Sequence, residues 1–314
     1  MSLVRLVRLV VVIVLLAVAG SIAFVYLAPA PATRLALDLE RARAGLSRKE
    51  ITLPSGMHYV FLEGGQGEPL MLLHGFAADK DNFTRVAGHL TKHYRVIIPD
   101  HIGFGESAHL PDADYRAQAQ AERLHDLAGA LGVHDVHLGG NSMGGQIAMA
   151  YAARYPGEVR SLWLLDPAGI WSAPKSELAR LVVEQGRNPL IARNEEEFAQ
   201  TFSFAMSEPP WIPRPMLDVM AQERIRNVPL ANRIFGQIAT DSVEQRIKGM
   251  QVPALIVWGD RDRALHVGTA EVLHGLLPRS QVIIMHGVGH LPMIERPMQS
   301  AEDYLRFREG LSKG

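Results

Sequence analysis

The chain has 314 residues, with 32 Lys and Arg against 33 Asp and Glu, 47% hydrophobic residues and no cysteine. So neutral a balance gives no electrostatic reason to expect a nucleic-acid partner, and the apolar fraction excludes a disordered chain. Without cysteine there are no disulfides, thiolate catalysis, zinc–cysteine sites or iron–sulfur clusters.

Leu9 to Ala28 carries no charge, and Gly20 and Ser21 are its only mild interruptions. A helix of roughly 20 apolar residues spans about 30 Å, the thickness of a bilayer's hydrocarbon core. Arg5 and Arg8 precede the run, and Tyr26 stands near its far end, where an interfacial aromatic belongs. We read residues 1–32 as a transmembrane anchor. The rival is a cleaved signal peptide, with Ala17-Val18-Ala19 or Ala30-Pro31-Ala32 as its cleavage box. Orientation is contested within the sequence itself. A Lys/Arg count after the span (Arg34, Arg41, Arg43, Arg48, Lys49) favours a cytoplasmic body, whereas a short basic head before an apolar run resembles an export signal. We adopt export: a single pass with the body on the exported side of the membrane.

Leu35, Leu39, Ala42 and Leu46 recur at helical spacing, so residues 33–49 are expected to form an amphipathic juxtamembrane helix. We read it first as a linker packed on the globular body, and alternatively as a helix at the membrane surface. Beyond it, Ile51–Leu53 and His58–Leu62 read as a β-pair around Ser55-Gly56. The short apolar runs Leu70–Leu73, Val96–Pro99, Val136–Gly139, Leu162–Leu165, Ala254–Trp258 and Val282–Met285 read as buried strands, several separated by helical stretches such as Ala117–Leu131. This is the pattern of a mostly parallel sheet covered by helices on both faces. Between Ile170 and Ile247 the strand signal disappears and prolines break several helices. The organisation expected is therefore a catalytic body of residues 50–169 and 248–314, with residues 170–247 as a helical cap.

Gly140-Asn141-Ser142-Met143-Gly144 follows one expected strand and precedes the helical stretch Gln146–Arg154. A G-x-S-x-G match is weak alone, but a strand–turn–helix elbow is the setting in which its serine projects above a sheet as a nucleophile. A serine hydroxyl needs a base, and the base an orienting acid, in the chain order Ser, Asp or Glu, His. Among 13 histidines, His290 is the candidate base, lying just after the last strand in Gly287-Val288-Gly289-His290. His266 and His286 are its rivals, while His101, His134 and His137 read as surface or strand residues. Asp262 is the candidate acid; Asp166 is a rival at the end of another strand, and Asp260 reads as a turn cap. Oxyanion donors are expected at the backbone N–H groups of Met143 and of Phe76, after Gly75 in the loop that follows Leu70–Leu73. His74 reads as a structural residue of that loop.

His74–Phe83 (HGFAADKDNF), Pro99–Ser107 (PDHIGFGES), Gly139–Gly145 (GGNSMGG), Trp258–Asp262 (WGDRD) and Gly287–Pro297 (GVGHLPMIERP) resemble the α/β-hydrolase superfamily. They are most similar to bacterial lipases and esterases of the Moraxella-lipase type, and the N-terminal span resembles membrane-anchored bacterial phospholipases A. The resemblance implies an α/β-hydrolase fold, a Ser142–Asp262–His290 triad and an oxyanion hole from Phe76 and Met143. His101 stands where relatives often carry a small or apolar residue. Dehalogenases and epoxide hydrolases of this fold carry aspartate at the elbow, so Ser142 leaves ester hydrolysis, C–C bond hydrolysis, perhydrolysis and acyl transfer. The expected activity is hydrolysis of lipid carboxylic esters, as a lipase or phospholipase A. A small-molecule carboxylesterase or C–C hydrolase is the alternative, and a non-catalytic membrane-bound binding protein a remote one. Trp171, Phe202, Trp211, Met216 and Leu217 in the cap are candidate acyl-chain contacts, although core packing explains each taken singly. The expected partners are the bilayer, an acyl-ester lipid and its fatty acid product. No cofactor or metal signal stands out, and triad chemistry needs none.

Overall fold

The computed structural model describes residues 3–312. It opens with α1 (Leu3–Leu27), a helix of mean hydropathy 2.8 with none of its side chains buried. Pro29 then starts α2 (Pro29–Arg43), where its missing N–H costs nothing in a first turn. α2 ends earlier than the amphipathic pattern suggests. Gly45 adopts φ 70°, and Leu46 enters β1 (Leu46–Thr52), paired antiparallel with β2 (His58–Gly64). The expected helix over residues 33–49 is thus corrected at both ends. Leu46 belongs to a strand, where it is 5% exposed in the sheet's core.

The order continues through β3 (Glu68–Leu73), a 3-10 turn (Lys80–Phe83), α3 (Thr84–Leu90), β4 (Tyr94–Pro99), α4 (Ala117–Ala130), β5 (Val136–Asn141), α5 (Met143–Arg154) and β6 (Val159–Leu165). Five helices follow: α6 (Glu177–Gln185), α7 (Glu195–Ala205), α8 (Arg214–Arg226), α9 (Val228–Ile238) and α10 (Glu244–Ile247). The chain then returns to the sheet as β7 (Ala254–Gly259), α11 (Thr269–Leu276) and β8 (Ser280–Met285), and ends with α12 (Pro292–Glu295) and α13 (Pro297–Ser312).

The sheet has eight strands in the order β1-β2-β4-β3-β5-β6-β7-β8. Only the β1–β2 and β2–β4 pairs are antiparallel. Its central strands are apolar on both faces because both are covered. Met71, Leu73, Leu138 and Leu164 enter the core beneath α4 and α5, while Leu70, Leu72, Trp163 and Leu165 enter the opposite one with α3 and α13. The edge strands β1 and β8 are largely exposed, which fits their weaker apolar pattern. In a parallel sheet the loops leaving the carboxyl ends of the strands gather on one side. Here these loops follow β3, β5, β7 and β8.

Candidate active site

β5 ends at Asn141, and Ser142 turns the chain into α5 at φ 53°, ψ −119°. That conformation is costly for a non-glycine residue, and close packing on both sides holds it. A Cβ at Gly140 would lie 2.4 Å from the Gly144 carbonyl carbon, and one at Gly144 would lie 2.0 Å from the Leu73 carbonyl oxygen. Both glycines of the motif are therefore sterically required. The loop after β3 closes over this turn: a Cβ at Gly75 would sit 3.2 Å from Ser142 Cβ. Met143 is the first residue of α5, so its N–H is among the unpaired donors of a helix start.

His290 and Asp262 meet at 2.7 Å between Nδ1 and Oδ2, with side chains 5% and 0% exposed. The second Asp262 oxygen accepts from Ala264 N–H at 2.7 Å and Leu265 N–H at 3.0 Å, which fixes the carboxylate's orientation. Asp260 instead pairs with His286, whose side chain is 88% exposed, so the two rivals from the sequence occupy the surface together. His266 accepts from Gly268 N–H. Asp166 is fully buried at φ 44° and accepts from Gly259 N–H at 2.9 Å. One of its carboxylate oxygens lies within 4.8 Å of an Asp262 carboxylate oxygen and a His290 ring nitrogen. Burial, and then the nearby Asp262 charge, push the Asp166 carboxyl well above the usual range.

His74 is buried, and burial lowers its pKa to about 4, so the ring is neutral. Its Nδ1–H donates to the Gly75 carbonyl at 2.8 Å, and Nε2 accepts from His101 N–H at 3.0 Å. It thus braces the loop bearing Phe76, as a structural residue would. His101 is not a surface residue: it is 3% exposed, with its ring 4.6 Å from that of His74. His137 lies in β5, bonded to Ser161 and Glu68.

Three consecutive charges clamp the Phe76 loop to three different elements. Asp79 binds Arg224 of α8 at 2.9 Å. Lys80 binds Asp100, beyond β4, at 2.8 Å. Asp81 forms a bidentate pair with Arg41 of α2 at 2.7 and 2.6 Å. Burial alone would raise the Asp79 carboxyl, but the Arg224 and Lys80 charges outweigh it and hold it below the ordinary value.

Two further residues hold the His290 loop, and neither stands out in the sequence. Glu295 of α12 accepts from Gly289 N–H at 2.9 Å, Ser207 N–H at 2.8 Å and Glu208 N–H at 3.0 Å, tying the histidine loop to the end of α7. Asn141 donates through Nδ2 to the carbonyls of His290 (2.9 Å) and Leu165 (3.1 Å). Glu295 shows only as one charged residue in the Gly287–Pro297 segment. Asn141 shows only as the variable position of the serine motif.

Ser142, His290, Gly75 and Phe76 line one cavity of about 560 Å³, together with α2, α7 and α8. Phe202, Trp211 and Met216 line it too. Trp171 and Leu217 do not, which corrects their expected place in an acyl channel. Trp171 donates to the Asp241 carbonyl at 3.2 Å, and Leu217 packs on the cap's own cluster of Ala192, Phe198 and Ala221. Apolar character marks a side chain as seeking cover but not which neighbour it meets.

A strained serine at a glycine-packed elbow, a buried His–Asp pair on the same cavity, and an eight-stranded sheet of this order decide the family. The chain belongs to the α/β-hydrolase fold family. The sequence profile of that family matches residues 68–297. The chain is 47% identical to Lipase 3 of Moraxella sp. (strain TA144), covering 90% of each chain. It is 46% identical to Lipase 1 of Psychrobacter immobilis, covering 88% of each. Among solved structures, a membrane phospholipase A described as a bacterial virulence factor superposes with a TM-score of 0.88. It is 39% identical and covers 99% of this chain and 100% of that one.

Proposed function

We propose that this α/β-hydrolase is a membrane-anchored serine hydrolase that cleaves the carboxylic esters of lipids, as a lipase or phospholipase A. The observation that carries the reading is the cavity itself. It runs from Ser142 and His290 to the apolar side chains of α7 and α8 and on to α2, the helix that follows the exposed apolar span. An acyl chain fits such a space, and an ester at its inner end meets the serine.

Ser142 Oγ attacks the ester carbonyl, and His290 Nε2 takes its proton, with Asp262 holding Nδ1–H and stabilising the imidazolium. The N–H groups of Phe76 and Met143 receive the charge that develops on the carbonyl oxygen. The alcohol or lysolipid leaves with the proton from His290. Water activated by the same histidine then releases the fatty acid and frees the serine. Asp166 is not the orienting acid in this scheme, because Asp262 makes the contact with His290.

The chain is membrane-associated, through α1 as its anchor. We assign it to a bacterial inner membrane with the catalytic body in the periplasm, supported by the short basic head before the span. Protease accessibility of the body in intact spheroplasts tests that side. The activity is tested with nitrophenyl esters of graded length and with phospholipid vesicles, beside Ser142→Ala. Release of fatty acid from vesicles by the wild type alone supports the reading. Turnover of short soluble esters with none on any lipid would move the assignment to a small-molecule esterase.

A further inference from the structure

Outside α1, no large apolar side chain among the described residues is as exposed as Trp211, at 87%. It lies in Pro209-Pro210-Trp211-Ile212-Pro213, between the end of α7 at Ala205 and the start of α8 at Arg214. Proline fixes φ at three positions of this stretch and so limits its backbone freedom, and the indole stands in the open. Pro210, Ile212 and Pro213 form the adjoining rim of the cavity that contains Ser142.

The charge clamps place this loop relative to the anchor. Arg41 near the end of α2 and Arg224 near the end of α8 bind Asp81 and Asp79, two residues apart. The C-terminal ends of the two helices therefore converge at the Phe76 loop, and α8 packs along α2 and also touches α1. At 1.5 Å per residue, both Pro29–Arg41 and Arg214–Arg224 extend roughly 15–18 Å from that point. The end of α8 that reaches α1 is thus its N-terminus, which carries Trp211. Exposed Arg34 of α2 lines the same rim.

We propose that the Pro209–Pro213 loop is a second membrane contact, with Trp211 seated in the interface between headgroups and acyl chains on the side where α1 leaves the bilayer. Indole suits that layer, since its ring is apolar and its N–H finds polar partners there. With α1 it forms a two-point contact that sets the cavity mouth against the lipid surface. The inference extends the lipid-ester reading above and rests on it only for the meaning of that placement.

The test uses the full chain in phosphatidylcholine vesicles whose acyl chains carry bromine near the carbonyl end, a quencher of tryptophan emission. α1 has no tryptophan, and Trp163 and Trp258 are wholly buried. The wild type should lose part of its emission to bromolipid, Trp211→Phe should lose that quenched component, and Trp171→Phe should keep it. Equal quenching in wild type and Trp211→Phe overturns the proposal. So does emission that shifts with protein concentration in detergent but ignores bromolipid, which would assign the loop to a second copy of the chain. Fatty acid release by the wild type is followed in the same vesicles. Quenching without release overturns the lipid-ester reading alone, and release without Trp211 quenching overturns this inference alone.

Discussion

Removing the Glu295 carboxylate should loosen the His290 loop more than any other change outside the triad. Its bond to Gly289 N–H is buried, whereas those to Ser207 and Glu208 N–H are only partly so. A charged hydrogen bond contributes about 1.5–3 kcal/mol, and a buried donor left unpaired costs about 1–3 kcal/mol. Assigning about 2–3 kcal/mol to Gly289 and about 1 kcal/mol to each rehydratable partner, Glu295→Ala should destabilise by about 4–5 kcal/mol. Glu295→Gln should cost about 2 kcal/mol, because its NH2 must face one of the three N–H groups. The same bond fixes the residue before His290, and a base misplaced by about 1 Å can cost roughly 100-fold in rate. Denaturant midpoints in detergent and kcat on a short soluble ester read the two effects separately. If Glu295→Ala moved stability by less than about 1 kcal/mol and left kcat unchanged, the clamp would have no energetic meaning.

Ser142→Ala and His290→Ala should each lower ester kcat by roughly 10⁴-fold or more while the protein stays folded, since the two act as one unit; Asp262→Asn should be nearly as severe and Asp166→Asn mild, and the reverse order in steady-state assays would move the acid to Asp166. Stability should fall as pH drops from 6.5 towards 4, because burial places His74 at about 4 in the folded protein, below its ordinary 6.5. The unfolded chain then binds the extra proton, at a cost of about 3 kcal/mol once pH is below both values; a pH-independent unfolding midpoint across that window would contradict the buried neutral ring. Met216→Trp should reduce turnover of long nitrophenyl esters far more than of acetate, because Met216 lines the cavity; equal losses at every length would deny it an acyl contact. Deleting residues 1–28 leaves α2 and its Arg41–Asp81 pair in place. The product should turn over short esters normally but lose most activity on vesicles; undiminished vesicle activity would separate the anchor from the substrate.

The sheet was legible because its central strands are covered on both faces and so read as unbroken apolar runs. Ser142, Asp262 and His290 were legible as candidates because each lies in the turn or loop that follows a strand, and packing explains the glycines around the serine. The end of α2 was not. Leu46 continues a helical stripe in sequence, and only pairing with Gly64 makes it the first residue of a strand. Glu295 was invisible as a clamp because two of its three partners are backbone N–H groups on a distant helix end. Leu217 was misplaced for a related reason, since a cap helix reveals an apolar side but not the cavity it faces. Trp171 lies in the irregular stretch between β6 and α6, where no periodicity indicates its neighbours. The charge run Asp79-Lys80-Asp81 reads locally as a solvated turn, yet each member binds a different element.

The central claim is that lipid esters acylate Ser142. Its most direct measurement is mass spectrometry of acid-quenched peptides after brief exposure of the full chain to phospholipid vesicles. The account predicts an acyl mass on the peptide bearing Ser142, and none in Ser142→Ala. Fatty acid released at the wild-type rate by Ser142→Ala, or an acyl mass confined to another residue, would contradict it.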